Sequence, residues 1–123
     1  MRSTLQVRLE QTQGLMEELW DEMDACLRQA GLSSPLPDRI EPTRSELRED
    51  PFDHSLGLYL EWRSGSGGLL GTVLVYASDM LFAEFDVLAA HPGKAGWVVE
   101  AVTAWGNPGA LKSELRLLPA LAE

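Results

Sequence analysis

The chain has 123 residues, a net charge of −9 at neutral pH and an apolar fraction of 45%. That length suits one domain with a single core, and the apolar share excludes an intrinsically disordered chain. The acidity argues against nucleic acid and anionic membranes, which need clustered Lys and Arg where this chain has ten scattered basic residues.

Met1 to Glu10 lacks the apolar run of a secretory signal. The longest nearly apolar stretch, Leu69 to Ala77, is about half of the ~20 residues that a membrane-spanning helix needs. One cysteine, Cys26, excludes an intramolecular disulfide and fits a reducing compartment, so a cytoplasmic location is expected.

The N-terminal third reads as one long amphipathic helix from about Thr4 to Gly31. At roughly 100° per residue, Leu15, Met16, Leu19, Trp20, Met23, Cys26, Leu27 and Ala30 fill one arc, and Glu17, Glu18, Asp21, Glu22, Asp24 and Arg28 lie outside it. Ser3 with Gln6 suits a capping box, and Gly31 followed by Leu32 suits a glycine stop. Gly14 weakens the N-terminal extension, and Leu5, Val7 and Leu9 alternate, so residues 4–13 read as helix or as a short strand.

Ser33 to Ser55 reads as a polar connector holding Pro35, Pro37, Pro42 and Pro51, with room for one helical turn at Thr43 to Glu49. A connector this long is either functional or mobile. It is not a domain boundary, because the helix needs the sheet to bury its stripe.

Leu56 to Leu88 reads as three antiparallel strands. With Ser64 to Gly68 as one turn and Ser78-Asp79 as a two-residue turn, Trp62 faces Leu70 and Tyr76 faces Leu81. The core face then holds Leu56, Leu58, Leu60, Trp62, Leu70, Thr72, Leu74, Tyr76, Leu81, Ala83, Phe85 and Val87. The open face holds Tyr59, Glu61, Gly71, Val73, Val75, Met80, Phe82, Glu84 and Asp86.

A loop follows at Ala89 to Gly96, and Val98, Val99, Val102 and Thr103 make Trp97 to Trp105 a fourth strand, with helix as the alternative. Gly106-Asn107-Pro108 then reads as a strand stop and helix start, and Leu111, Leu115 and Leu118 share a face of a short helix ended by Pro119. No internal repeat stands out. The expected fold is a single α+β domain over residues 1–123. In it a long N-terminal helix packs on a four-stranded antiparallel meander, followed by a short C-terminal helix.

Enzyme signatures are sparse. Asp53-His54-Ser55 has the residue types of a triad, but consecutive side chains diverge and cannot line up nucleophile, base and orienting acid. Gly65, Gly67, Gly68 and Gly71 join strand to strand, unlike a nucleotide-binding glycine loop, and Gly93-Lys94 lacks the rest of a phosphate loop. Cys26, His54 and His91 have no ligand-like spacing, and Cys26 lies in the apolar stripe. No catalytic residue, metal or cofactor is assigned.

On the open face, Glu61 and Asp86 are expected to flank Gly71, with Glu84 beside Val73. Clustered carboxylates suit a hard cation or an acid/base pair, but the plainer reading is a solvated face. Trp97 and Trp105 share a side of the fourth strand, either outward beside Tyr59 and Phe82 or inward as core. Aromatics among carboxylates form a recognition surface. The binding candidates are therefore Tyr59, Glu61, Phe82, Glu84, Asp86, Trp97 and Trp105.

In length, acidity and helix-then-meander order the chain resembles the small acidic chaperones that hold type III secretion effectors. It departs from them at Ala89 to Gly96, too short for the helix they carry there. The runs Phe82-Ala-Glu-Phe-Asp-Val-Leu and Val102-Thr-Ala-Trp-Gly resemble a family of small uncharacterised bacterial proteins, which implies a fold and no activity. The expected function is a non-enzymatic, chaperone-like module that binds a protein partner or a second copy through the outer sheet face. The alternative is a small enzyme or ligand carrier pairing His54 or His91 with Glu84 or Asp86 in a pocket beside the connector.

Overall fold

The computed structural model describes residues 3–33 and 41–120. They form two helices, α1 (Thr4–Gln11) and α2 (Gln13–Gln29). Six strands follow: β1 (Arg44–Glu49), β2 (Leu56–Arg63), β3 (Leu69–Val75), β4 (Leu81–Ala90), β5 (Trp97–Gly106) and β6 (Lys112–Pro119). The strands build one antiparallel sheet in the order β1-β2-β3-β4-β5-β6. This overturns the expectation of one long helix on four strands with a closing helix. Among the described residues, no helix is long and apolar enough to cross a membrane.

The single long helix is broken at Thr12. The capping box at Ser3 and Gln6 starts α1 as expected. Thr12 then leaves helical geometry (φ −97°, ψ 0°), and its hydroxyl lies 3.1 Å from the carbonyl oxygens of both Arg8 and Leu9. A threonine hydroxyl donating back to the preceding turn competes with the helix ladder, and Gly14 just beyond adds little helical propensity. The far end follows the sequence. Leu32 N–H donates to Leu27 O and Gly31 N–H to Arg28 O, with Gly31 at φ +85°, a glycine cap on α2.

The expected connector contains β1, a strand rather than loop or helical turn; its residues 34–40, with Pro35 and Pro37, lie outside the described residues. β1 alternates Arg44, Glu46 and Arg48 with Ser45 and Leu47, a charged pattern typical of a protected edge strand. The expected C-terminal helix is β6, the other edge. Asn107 to Ala110 turns the chain instead of capping a helix, with Gly109 at φ +78° and Ala110 N–H on Asn107 O. Ser113, Leu115 and Leu117 then alternate with Lys112, Glu114 and Arg116.

β3 is turned over relative to the sequence reading. Leu70 is an extra residue opposite the Trp62–Arg63 step, so Trp62 pairs with Gly71 rather than with Leu70. The next turn holds three residues, Ala77-Ser78-Asp79, between the paired Tyr76 and Met80, with Asp79 at φ +70°. Both effects shift the pairing by one residue. Val73 and Val75 therefore enter the core, and Thr72, Leu74 and Tyr76 leave it. The faces assigned to β2 and β4 hold.

The core lies between the helices and one face of the sheet. Leu15, Leu19, Trp20, Met23 and Leu27 of α2 join Leu58, Leu60, Trp62, Val73, Val75, Phe85 and Val102. Trp20, Trp62 and Phe85 form an aromatic cluster with ring centroids 5.2–5.7 Å apart, in edge-on and tilted contacts. Leu19 and Met23 lie in the core with Leu58 and Phe85 as expected, but without Leu74. Polar ties hold α2 to β6 and to the turn before it: Gly109 N–H donates to Glu18 Oε1 and Ser113 Oγ to Glu22 Oε2, each at 2.6 Å.

Candidate functional site

The helices cover one face of the sheet, and the other presents two unbroken rows of side chains. One row crosses all six strands as Arg44, Glu61, Thr72, Glu84, Thr103 and Glu114. The next, two residues along each strand, is Glu46, Tyr59, Leu74, Phe82, Trp105 and Lys112. Its four central members are apolar or aromatic, and Phe82 is 46% exposed. A groove of about 790 Å³ runs beside it over β4, β5 and β6, lined by Met80, Phe82, Glu84, Thr103, Trp105 and Arg116.

Four of the carboxylates here, Glu46, Glu61, Glu84 and Glu100, are held by arginines. Glu61 is only 3% exposed although it belongs to the open face, because Arg63 Nη2 lies 3.0 Å from one of its oxygens and Arg44 Nη1 3.6 Å from the other. Arg116 bridges Glu84 at 2.7 Å and Glu100 at 3.0 Å, which raises its pKa above the ordinary guanidinium value. Glu46 accepts from Arg48 and Arg44 at 2.6 Å each, and chiefly the Arg48 hydrogen bond holds its carboxyl below the usual range. Arg48 also stacks over the Tyr59 ring, 3.6 Å from its centroid. Glu61 and Glu84 flank Thr72, in place of the expected Glu61 and Asp86 around Gly71. Among the described residues, no group of His, Cys, Asp or Glu side chains is placed to hold a metal ion.

Of the seven binding candidates, Tyr59, Glu61, Phe82, Glu84, Asp86 and Trp105 share this face. Trp97 does not. The β5–β6 register shifts between Val99 and Ala101, so Val99 joins the core with Val102 and Ala104. Alternation back from Val99 puts Trp97 on the helix side, where Lys94 Nζ lies 4.5 Å from its ring. The two tryptophans thus lie on opposite faces, and the bulge is the reason.

The sequence reading missed Leu74, Thr103, Arg44, Lys112 and Arg116 as members of this face. One signal was present. The edge strands share a pattern, Arg44-Ser-Glu-Leu-Arg48 and Lys112-Ser-Glu-Leu-Arg116, which alternates charge outward with Ser and Leu inward.

The histidines lie in turns. His54, at φ +61° in the β1–β2 turn, has its Nδ1 3.1 Å from Glu49, while Ser55 Oγ donates to Asp53. His91 Nδ1 accepts from Gly93 N–H within the β4–β5 turn. The expected partners Glu84 and Asp86 do not meet either ring; Glu84 is bound to Arg116. Cys26 is half-buried, and burial pushes its thiol pKa up, with Glu22 and Glu114 adding to the rise.

No family model, curated protein or solved structure matches this chain.

Proposed function

We propose that this chain is a non-enzymatic protein-association module acting through the open face of its sheet. The observation that carries this reading is the row Tyr59, Leu74, Phe82 and Trp105, laid side by side on four adjacent strands. Its flanks are charged side chains, several of them held by one another, the layout of an apolar interface centre with a polar rim. Five basic side chains on this face, Arg44, Arg48, Arg63, Lys112 and Arg116, sit among six carboxylates, so the face lacks the cationic excess that nucleic acid requires. The free thiol of Cys26 suits a reducing compartment such as the cytoplasm. Holding a client protein, as a chaperone does, is one use of such a face.

The test is site-specific photo-crosslinking in the cells that make the protein. A photoreactive residue at Phe82 should yield protein adducts, and one at Glu17, exposed on α2, should not. Equal adducts from both positions, or none from Phe82, would remove the reading.

A further inference from the structure

We infer that the occupant of the open face is a second copy of this chain, stacked face to face about a two-fold axis parallel to the strands and lying between β3 and β4. The inference rests on the association reading above and specifies its partner.

The two rows carry opposite charges at their ends. One begins at Arg44 on β1 and finishes at Glu114 on β6; its neighbour begins at Glu46 and finishes at Lys112. A two-fold axis along the strands reverses strand order and keeps each row over its own copy. Arg44 then meets Glu114 of the other copy, and Glu46 meets Lys112. In the middle, Tyr59 lies over Trp105 and Leu74 over Phe82, apolar against apolar. Stacked sheets sit about 10 Å apart and cross at about 30°, within reach of these long end residues.

The other in-plane axis, across the strands, fails in either placement. Centred on the aromatic row, it sets Glu46 over Glu46 and Lys112 over Lys112. Centred between the rows, it buries Tyr59 and Phe82 against Glu61 and Glu84. Only the strand-parallel axis satisfies the apolar centre and the charged ends together.

The charge distribution agrees. The chain carries −9, which repels a second copy at most approaches. The acids Glu10, Glu17, Glu18, Asp21, Glu22 and Asp24 lie on the helices, directed away from the open face, where five basic groups nearly balance six carboxylates. Neither Lys112 nor the Glu114 carboxylate makes an ion pair among the described residues, so the ends on β6 are available to a second copy.

The test is light scattering and sedimentation of the purified chain, then of two charge variants alone and mixed. The native chain should run at twice its 13.6 kDa mass. Lys112→Glu and Glu46→Lys should each weaken self-association by about tenfold or more, since each sets like charges opposite one another twice. Mixing the two variants should restore a dimer, because every end pair becomes opposite in sign again. A folding defect would not be rescued by mixing. Phe82→Glu, at an exposed position, should give a folded monomer by circular dichroism. A native chain that stays monomeric, or variants that fail to rescue one another, would overturn the inference. Adducts from Phe82 to a different protein would then keep the association reading with another occupant, and no adducts would end both.

Discussion

The ring of Phe85 on β4 occupies the space above Gly71, its partner on β3: a Cβ on Gly71 would sit 2.1 Å from Phe85 Cδ1. The glycine is there so that the ring can lie flat on the sheet and meet Trp20 and Trp62. Gly71→Ala must push that ring out of a packed core and should cost about 1–3 kcal/mol. Gly14, inside α2 with nothing within 4 Å of its Cβ position, is the control. Gly14→Ala should leave stability unchanged or raise it by up to about 1 kcal/mol. Thermal unfolding of both variants checks this, and a harmless Gly71→Ala would mean that the ring packs elsewhere.

How far the sequence reveals the fold depends on how strongly each strand alternates. β2 and β4 carry Leu58, Leu60 and Trp62, and Leu81, Ala83, Phe85 and Val87, against polar neighbours, so their faces were legible. β3 is apolar on both sides, and only the turns at either end decide whether Val73 or Leu74 is buried. One extra residue in each connection reversed the choice. β6 was ambiguous in another way: Leu111, Leu115 and Leu118 are spaced for a helix, while Ser113, Leu115 and Leu117 are spaced for a strand, and pairing with β5 selects the strand. β1 offered one inward leucine among charges, as an edge strand should, and so read as loop. The candidate face was recognised from its aromatics and acids. Its cationic ends were not, because they belong to the two edge strands.

The corrected register of β3 has its own test. Val73 is fully buried and Leu74 stands half-exposed on the open face. Val73→Thr keeps the shape and inserts a hydroxyl into the core, which should cost about 1–3 kcal/mol. Leu74→Thr should cost less when both changes are made in the Phe82→Glu monomer, where its hydroxyl meets solvent. Urea unfolding should rank the two in that order, and the reverse order would restore the register expected from sequence.

Arg8 ties α1 to the β3–β4 turn, with Nη1 2.9 Å from Asp79 Oδ1 and Nη2 donating to Tyr76 O at 2.6 Å. Asp79 is half-exposed, so Asp79→Asn, which removes only the charge, should cost less than about 1 kcal/mol. Asp79→Ala should cost more, because alanine is poorly suited to φ +70° where Asn is tolerated. Arg8→Ala also strips the Tyr76 carbonyl of a donor, and about 1–3 kcal/mol is expected. Identical stabilities for Asp79→Asn and Asp79→Ala would show that the left-handed turn is not under strain.

Cys26 reports on the α2–β6 contact through its chemistry. The thiolate is the reactive form, and burial holds the thiol above its ordinary value of 9.0. Alkylation of the folded chain near neutral pH should therefore be slower than that of the unfolded chain, with its rate still rising above pH 9. The Glu22 carboxylate, which accepts the Ser113 hydroxyl proton, adds to the rise by repelling the thiolate, so Glu22→Gln should speed alkylation. The sign for stability follows. Because the folded chain keeps its proton to higher pH, the unfolded chain releases one first, and stability falls as pH rises through the unfolded value toward the folded one. Alkylation rates against pH for the native chain and Glu22→Gln measure the first effect, and urea unfolding against pH measures the second. A Glu22→Gln protein that reacts no faster than the native chain would mean that the carboxylate does not act on the thiol.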